Sequence, residues 1–197
     1  MQIFFPLPIR PKNAGAVFRL ASLLLLALTQ TAKSAEPNRP TEYQIKAAFL
    51  YNFAKYVEWP PKVFAAADSP IVVGILGKDP FGAGFEKIGI RQVGSHPLLV
   101  RQIQKPGDIA GCHMLFVGNL EQRRLEKMRG DLHAACILTI YDEAENFEKT
   151  GGVINLVKSS DNKIRFQINV DAARQSELKI DSTLLNLAKI VHDPSPG

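Results

Sequence analysis

The chain has 197 residues, of which 46% are hydrophobic, so it is long enough to bury a core of its own. Of its 24 basic residues, four lie within the first 35 residues, where there is no acid, and the remaining 20 face 19 acidic residues. This balance excludes the extended basic surface that a nucleic-acid-binding protein needs, so no nucleic-acid partner is expected.

Residues 1–34 have the layout of a secretory signal peptide. A basic segment precedes the apolar run "LASLLLLAL", which is followed by small residues in "TAKSAEP". Cleavage after Ser34 would start the mature chain near Ala35, and an uncleaved membrane anchor is the alternative. We expect a flexible lead-in over residues 35–40, a single α/β domain over 41–193, and a disordered tail over 194–197.

The first element of the domain is a helix within "TEYQIKAAFLYNFAKYVEWPP", residues 41–61. Thr41 is a favourable N-cap, and Gln44 is spaced to complete a capping box. The helix is expected to end at Val57 or Glu58, because the prolines that follow disfavour helical backbone before them.

Alternating strands and helices follow. Strands are predicted in "PIVVGILG", "PLLVRQI", "HMLFVG" and "ACILTIYD", with helices in "DPFGAGFEKIG" and "NLEQRRLEKMRG" and a helical turn in "EAENFEKTGG". The stretch "GVINLVKSSDNKIRFQINV" predicts an antiparallel pair of strands, because Ile164, Phe166 and Ile168 alternate with polar residues. A short helix in "DAARQSELKI" and a longer helix in "DSTLLNLAKIVHD", capped by Asp181 or Ser182, follow it.

This order of elements predicts the fold class. It indicates a compact α/β sandwich with a mixed, mostly parallel central sheet flanked by helices, and an antiparallel hairpin near the C-terminus.

The first helix has one broad apolar face with a charge in its middle, Lys46. Glu42 lies four residues earlier, so we expect a Glu42–Lys46 pair that keeps the charge near solvent while the lysine stem packs. The opposite side is weakly polar. It is either the solvated back of a core helix or a surface for a partner, since tyrosine and tryptophan are common interface anchors.

The two cysteines, Cys112 and Cys136, follow the leader, and export would expose them to an oxidising compartment. One disulfide between them and two buried free thiols are the two interpretations. A metal site with His113 and His133 is disfavoured, because Cys112 and His113 would point to opposite faces of a strand.

No catalytic constellation is present in the sequence. The glycines of "GILGKDPFGAG" do not have the spacing of a phosphate-binding loop. The four acids of "YDEAENFE" lack the spacing of a calcium loop and are interpreted as a solvated turn. We therefore expect neither an enzyme nor a cofactor.

The segment "YQIKAAFLYNFAKYVEWP" resembles the opening signature of the YfiR family of exported proteins. The resemblance continues through "VVGILGKDPFG", "CHMLFVG", "ILTIYD", "GGVINLV", "KIRFQINVDAA" and "LKIDSTLLNLAKIV", and it covers residues 41–191. This chain departs from the family at Glu177, where a glycine is common, and at Asp181 and Ser182, where two serines are common.

The resemblance implies a periplasmic, non-catalytic regulator with a compact α/β sandwich. Such a protein would bind and inhibit the periplasmic sensor region of an inner-membrane diguanylate cyclase, which would lower cyclic di-GMP and limit biofilm formation. It also implies a homodimer and an outer-membrane lipoprotein that sequesters the regulator. The resemblance does not assign a pairing to the cysteines.

Two sets of site residues are predicted. The partner or dimer surface is placed on the exposed side of the first helix and its exit: Tyr51, Asn52, Lys55, Glu58 and Trp59. Asn155, Arg165 and Asn169 are interpreted as structural residues at the edge of the late strands, with a ligand role as the alternative. The alternative function is a periplasmic small-ligand sensor with a different membrane partner, whose pocket is lined by the loops after Leu76, Val117 and Tyr141.

Overall fold

The computed structural model of the protein describes residues 40–82, 91–118 and 128–194, together with Glu121, Arg123 and Leu125. The predicted signal peptide over residues 1–34 lies outside the described residues. So do most of the lead-in, the last three residues of the predicted tail, and most of the helices predicted in "DPFGAGFEKIG" and "NLEQRRLEKMRG".

The described helices are α1 (Glu42–Tyr56), α2 (Arg129–Ala134), α3 (Phe147–Thr150), α4 (Val170–Gln175) and α5 (Ser182–Leu185). The described strands are β1 (Val57–Glu58), β2 (Ile71–Leu76), β3 (Gln92–Val93), β4 (His96–Ile103), β5 (Met114–Val117), β6 (Leu138–Asp142), β7 (Ile154–Lys158), β8 (Ile164–Asn169), β9 (Lys179–Ile180) and β10 (Lys189–Val191). Pro61–Val63 and Pro106–Ile109 form 3-10 turns.

Helix α1 begins and ends where its sequence predicts. The Thr41 hydroxyl accepts from the Gln44 N–H at 3.3 Å, and the Gln44 side chain accepts from the Thr41 N–H at 2.8 Å, so the capping box is confirmed. Val57 has extended backbone and ends the helix before Pro60. Phe53 is fully buried and packs against Phe166 of β8, with ring centroids 5.4 Å apart.

Eight strands form one mixed sheet in the order β10-β8-β7-β6-β5-β2-β4-β3. The pairs β2–β4, β2–β5, β5–β6, β6–β7 and β8–β10 are parallel, whereas β7–β8 and β3–β4 are antiparallel. The predicted fold class and the late hairpin are therefore confirmed. Strand β2 connects forward to β4 on one side, and β5 then lies on the other side of β2, so the winding direction reverses between β2 and β5.

The central strands are buried on both faces, which explains their nearly continuous apolar sequences. Along β5, Met114 and Phe116 belong to the core beneath α1, whereas Leu115 and Val117 belong to a second core on the other face, with Leu125 and Leu132. The sheet is thus a layer between two apolar cores.

The predicted long C-terminal helix is wrong. The Asp181 side chain caps α5 by accepting from the Thr183 N–H at 2.7 Å, but α5 ends at Leu185. Residues Lys189–Val191 form β10, parallel to β8. The spacing of the leucines favours a helix, but it reflects only neighbouring residues. The edge of β8 offers unpaired backbone groups to which residues 189–191 can hydrogen-bond, and the local sequence pattern cannot reveal that edge.

Glu177, one of the positions where the sequence departs from the family, lies just before β9. Glu177 has φ 53°, in the left-handed region where glycine is favoured. Glutamate at this position therefore adopts a backbone conformation that side chains disfavour, and its carboxylate pairs with Lys62 at 2.5 Å. Strand β9 pairs with β1, which joins this segment to the end of α1.

Candidate functional site

Lys46 is a buried ammonium at the start of α1. Its side chain is 1% exposed, and Nζ lies 2.6 Å from a Glu42 oxygen, 2.5 Å from Asp142 Oδ1 and 3.3 Å from Glu143 Oε1. The predicted Glu42–Lys46 pair is confirmed, but its predicted position near solvent is wrong. Lys158 also contacts Glu42, at 2.9 Å. The end of β6 covers the lysine, so the charge is held between two distant parts of the chain.

The charges in this cluster stabilise one another. Burial by itself disfavours the ammonium, but hydrogen bonds to Asp142 and Glu42 outweigh it and raise the pKa of Lys46 above its usual range. The hydrogen bond from Lys46, followed by that from Lys158, lowers the pKa of Glu42. Burial and the nearby Asp142 charge raise the pKa of Tyr43, so its phenol stays neutral and donates to Asp142 Oδ2 at 3.1 Å.

Sequence reasoning missed the role of Asp142. The run "YDEAENFE" was interpreted as a solvated turn, yet Asp142 is only 7% exposed. One signal was available, since Asp142 directly follows the apolar strand sequence "ILTIY" and Lys46 lies on an apolar helix face. Opposite charges at two apolar positions indicate a buried pair, but their separation along the chain hides the contact.

A pocket of about 480 Å³ lies beside this cluster, at the carboxyl ends of β2, β5 and β6. It is lined by Tyr43, Gly77, Lys78, Asp79, Pro80, Gly118, Glu121 and Asp142. These residues include those that directly follow Leu76, Val117 and Tyr141, so the structure has a pocket at the predicted position.

Four of the five predicted contact residues form what we name the outer face of α1: Tyr51, Asn52 and Lys55 of the helix, and Glu58 of β1 at its exit. Tyr51 is half-buried and donates to the Gln92 carbonyl at 3.4 Å, while the Arg91 guanidinium lies 4.8 Å from its ring centroid. Lys55 is exposed and lies 5.8 Å from the same ring. The outer face therefore presents an aromatic ring with two cations against it.

The structure places Trp59 in the core and not on this face. It is 9% exposed, and its indole N–H donates to the His113 carbonyl at 3.1 Å. The prediction of Trp59 as a contact residue is wrong, because the chain turns inward after α1 and buries the ring over β5. An apolar ring with one N–H is stable in the core once that donor has a partner.

Beside Trp59, the ring of Phe64 stacks between two imidazoles. Its centroid lies 4.6 Å from that of His113 and 4.5 Å from that of His96. His113 is 7% exposed, and its Nδ1 accepts from the Val72 N–H at 3.1 Å. Burial lowers the pKa of His113, partly opposed by the Val63 backbone and reinforced by His96.

We therefore expect protein stability to fall as the pH drops below about 6.5, where a histidine in the unfolded chain takes up a proton. The folded protein resists protonation of His113 to a lower pH, so this residue contributes stability above that value. Urea unfolding at pH 7.5, 6.5 and 5.5 measures the slope. His113→Phe should flatten it, even though losing the acceptor for Val72 lowers overall stability; an unchanged slope would contradict this assignment.

The predicted structural residues of the late strands have structural contacts. Asn155 is fully buried; its Oδ1 accepts from the Ala144 N–H at 2.9 Å, and its Nδ2 donates to the Ala144 carbonyl and to Gln167. Asn169 caps α4 by accepting from the Ala172 N–H at 3.0 Å. Asn169 is 0% exposed, so it does not face outward, although the alternation of apolar and polar residues along β8 by itself predicts an outward position.

Arg165 differs from these two asparagines. It is exposed and contacts Asp161 at 3.3 Å in the turn between β7 and β8. An exposed pair of this kind adds little stability.

Both cysteines are free thiols, so the disulfide interpretation is wrong for this structure. Cys112 lies in the second core and its sulfur accepts from Arg101 at 3.2 Å, whereas Cys136 lies near the Lys62–Glu177 pair. Burial raises the pKa of both thiols. Among the described residues, no group of three His, Cys, Asp or Glu side chains could hold a metal ion.

The geometry defines a doubly wound α/β protein with a pocket at its switch point and a separate aromatic and basic helix face. The chain belongs to the YfiR/HmsC-like family, whose sequence model matches residues 43–189. No curated protein matches the chain. Members of this family are periplasmic regulators connected with diguanylate cyclases rather than enzymes. In the described part of the chain, no helix is long and apolar enough to cross a membrane.

Proposed function

We propose that this protein is exported to the periplasm through a cleaved signal peptide and inhibits an inner-membrane diguanylate cyclase by binding its periplasmic sensor region. The effect is to lower cyclic di-GMP and biofilm formation. Family membership over residues 43–189 carries the proposal. An outer-membrane lipoprotein that sequesters the regulator and a homodimeric state belong to the same proposal.

Inhibition requires that the regulator bind the inactive cyclase more tightly than the active one. A ligand shifts an equilibrium between two states only by its difference in affinity for them. A rigid surface with few mobile side chains suits this task, because less conformational entropy is lost on binding. Tyr51, held by Gln92 and Arg91, is such a rigid anchor on the outer face of α1.

The outer face of α1 continues into a shallow groove of about 220 Å³. Asn52 and Tyr56 of α1 line it on one side, and Leu187 lines it on the other, with its side chain 73% exposed. An aromatic and basic patch beside an exposed leucine has the composition of an interface centre. This continuity supports the outer face of α1 as the contact surface for the cyclase.

The double variant Tyr51→Ala/Lys55→Glu is expected to weaken binding to the purified periplasmic domain of the cyclase at least about tenfold, which corresponds to about 1.4 kcal/mol. It removes the aromatic anchor and reverses one of the two cations. Isothermal titration measures the affinity, and cellular cyclic di-GMP should rise. The protein should stay folded, because Lys55 is exposed and Tyr51 is only half-buried.

Lys149→Glu is the matched control, since it makes the same charge reversal at an exposed position of α3. It should leave binding unchanged. Light scattering measures the oligomeric state of both variants. If the double variant loses the dimer but still binds the cyclase, the outer face of α1 is the dimer surface. Unchanged binding and unchanged oligomeric state in the double variant would remove this face from the proposal.

A second candidate function is a periplasmic small-ligand sensor with a different membrane partner. The pocket between the carboxyl ends of β2 and β5 favours it, because ligands in doubly wound sheets bind where the winding reverses. A thermal-shift screen of small metabolites on the isolated protein tests it, since a bound ligand raises the melting temperature with concentration. A screen without any such response would reject this candidate.

A further inference from the structure

Residues 60–69 connect β1 to β2, and we name them the strap. Phe64, near the middle of the strap, places its ring between the imidazoles of His96, at the start of β4, and His113, just before β5. The interplanar angles are 27° and 16°, so both contacts are stacked. Two histidine rings from the sheet therefore cover both faces of one aromatic ring of the strap.

The rest of the strap is attached at its surface. Among the described residues, two hydrogen bonds join it to the β3–β4 hairpin: Ser95 Oγ donates to the Ala67 carbonyl at 2.7 Å, and His96 Nδ1 donates to the Ser69 carbonyl at 2.7 Å. Residues 65–68 are exposed. A segment with so little buried surface can open locally while the sheet stays folded, provided that its aromatic anchor is released.

The geometry around His113 requires a neutral imidazole. Its Nδ1 accepts from the Val72 N–H at 3.1 Å, so its proton is on Nε2. A second proton would have to go on Nδ1, where it would face the Val72 N–H. Nε2 is buried without a hydrogen-bond partner of normal geometry in the described part of the chain, although the Val63 backbone gives partial compensation. The closed strap therefore offers an imidazolium little stabilisation.

His96 is the titratable group that faces His113, across the ring of Phe64. Its Nε2 can take up a proton while Nδ1 keeps its bond to the Ser69 carbonyl, and a charge there disfavours a second charge on His113. The adjacent Cys112 thiol belongs to the core on the other face of β5. The charged side chains of the neighbouring described elements are all exposed to solvent: Glu58, Lys62, Asp68 and Arg101.

We propose that Phe64, His96 and His113 form an acid-sensitive latch, which holds the strap against the sheet at neutral pH and releases it when His113 is protonated. Protonation removes the acceptor of the Val72 N–H and places a charge in a buried site. In the released form the imidazolium is in water, so proton binding favours release. The latch gives the protein a response to pH that depends neither on the cyclase nor on a small ligand.

Release is expected below about pH 6.5, where a histidine in water takes up a proton. Burial keeps the pKa of His113 below its usual value while the strap is closed. The closed form therefore loses stability relative to the released form as the pH falls from about 6.5 towards that lower pKa. Within this window, one proton changes the opening equilibrium about tenfold for each pH unit.

Trp59 is the single tryptophan of the chain and reports on the latch. Its ring lies edge-on to that of His113, with centroids 6.4 Å apart, and its N–H donates to the His113 carbonyl. Between pH 7.5 and 5.0, the fluorescence of the full mature chain should move to longer wavelength and become more accessible to acrylamide. Far-UV circular dichroism should stay unchanged over the same range, because the sheet remains folded.

Hydrogen exchange locates the opening in the wild-type protein, so it needs no variant. After correction for the intrinsic exchange rate, the Val72 amide should exchange about tenfold faster for each pH unit below about 6.5. The amides of Leu115 and Ile140, in central strands, should keep their protection.

Three variants assign the transition to the latch. His113→Asn cannot titrate, and its side-chain oxygen can still accept from Val72, so it should abolish the acid change in Trp59 fluorescence. His133→Gln is the matched control, since it removes another half-buried histidine and can still donate to the Gly151 carbonyl; it should keep the change. Phe64→Ala should show the acid-form accessibility of Trp59 already at pH 7.5.

Three results would contradict the latch. If the Trp59 signal changes together with the circular dichroism, acid unfolds the whole protein and no local release occurs. If His113→Asn keeps the acid transition, another group is responsible for it. If exchange at Val72, once corrected, does not depend on pH, His113 does not control the strap, and this last measurement decides even where His113→Asn fails to fold.

Discussion

Replacing Lys46 with methionine is expected to lower the free energy of unfolding by about 3 to 5 kcal/mol, because removing one partner leaves a buried charge uncompensated. Asp142 is the buried charge, 7% exposed, and its Oδ1 lies 2.5 Å from the lysine Nζ. Methionine matches the length and apolar character of the lysine stem, so packing changes little. Urea unfolding at pH 7 gives the difference in free energy.

Two further variants make this prediction specific. Lys46→Met/Asp142→Asn should recover at least about half of the lost stability, since the amide is neutral and can still accept from Tyr43. Lys158→Met should cost less than about 1 kcal/mol, because its pair with Glu42 is exposed to solvent. A loss below about 1 kcal/mol for Lys46→Met would show that the cluster does not stabilise the fold.

Gly152→Ala is expected to destabilise the protein by about 3 kcal/mol, through a steric collision rather than a change in backbone freedom. A Cβ at Gly152 would lie 2.3 Å from Cε2 and 2.6 Å from Cδ2 of Tyr141. Tyr141 is buried and its ring packs edge-on with Phe147, so it has little room to move. Thermal and urea unfolding measure the loss.

The matched control is Gly130→Ala, since Gly130 is exposed in α2 and a Cβ there meets nothing within 4 Å. Alanine is the better helix former, so this variant should be neutral or more stable by up to about 1 kcal/mol. Tyr141→Leu in the Gly152→Ala background should relieve part of the clash. A Gly152→Ala protein as stable as the parent would mean that the ring does not lie against this glycine.

This collision gives a physical reason for the glycine pair in "GGVINLV". Gly151 has φ 70° and ends α3 in the left-handed conformation that glycine favours, whereas Gly152 makes room for an aromatic ring. The turn role could be predicted from sequence, because glycine commonly ends helices. The packing role could not, because it depends on which side chain reaches this point in space.

The first helix likewise has some features that could be predicted from sequence and others that could not. Its capping box and its end before the prolines followed from residues within a few positions of each other, and the structure has both. The partners of Lys46 did not follow, since Asp142 is 96 residues away. Trp59 was assigned to the surface from its residue type and its place at the exit of the helix, and only the path of the chain after α1 shows that it is buried.

The longer strands, β2 and β4 to β8, were predictable because continuous apolar runs mark the central strands of a doubly wound sheet, and alternation marks β8. The position of the pocket followed from the same reasoning, because the carboxyl ends of parallel strands meet at one edge. The identity of its lining residues required the structure, which brings together residues from three loops and from α1.

The sequence by itself determined the local elements and the α/β class, because capping, turn chemistry and hydrophobic periodicity act over a few residues. Tertiary structure decided β10, the free cysteines, the buried Lys46 cluster and the collision that Gly152 avoids. Each of these depends on contacts between residues far apart in the chain. For β10, the open edge of β8 outweighed a local helical pattern, and for Lys46, a distant carboxylate made burial of a charge stable.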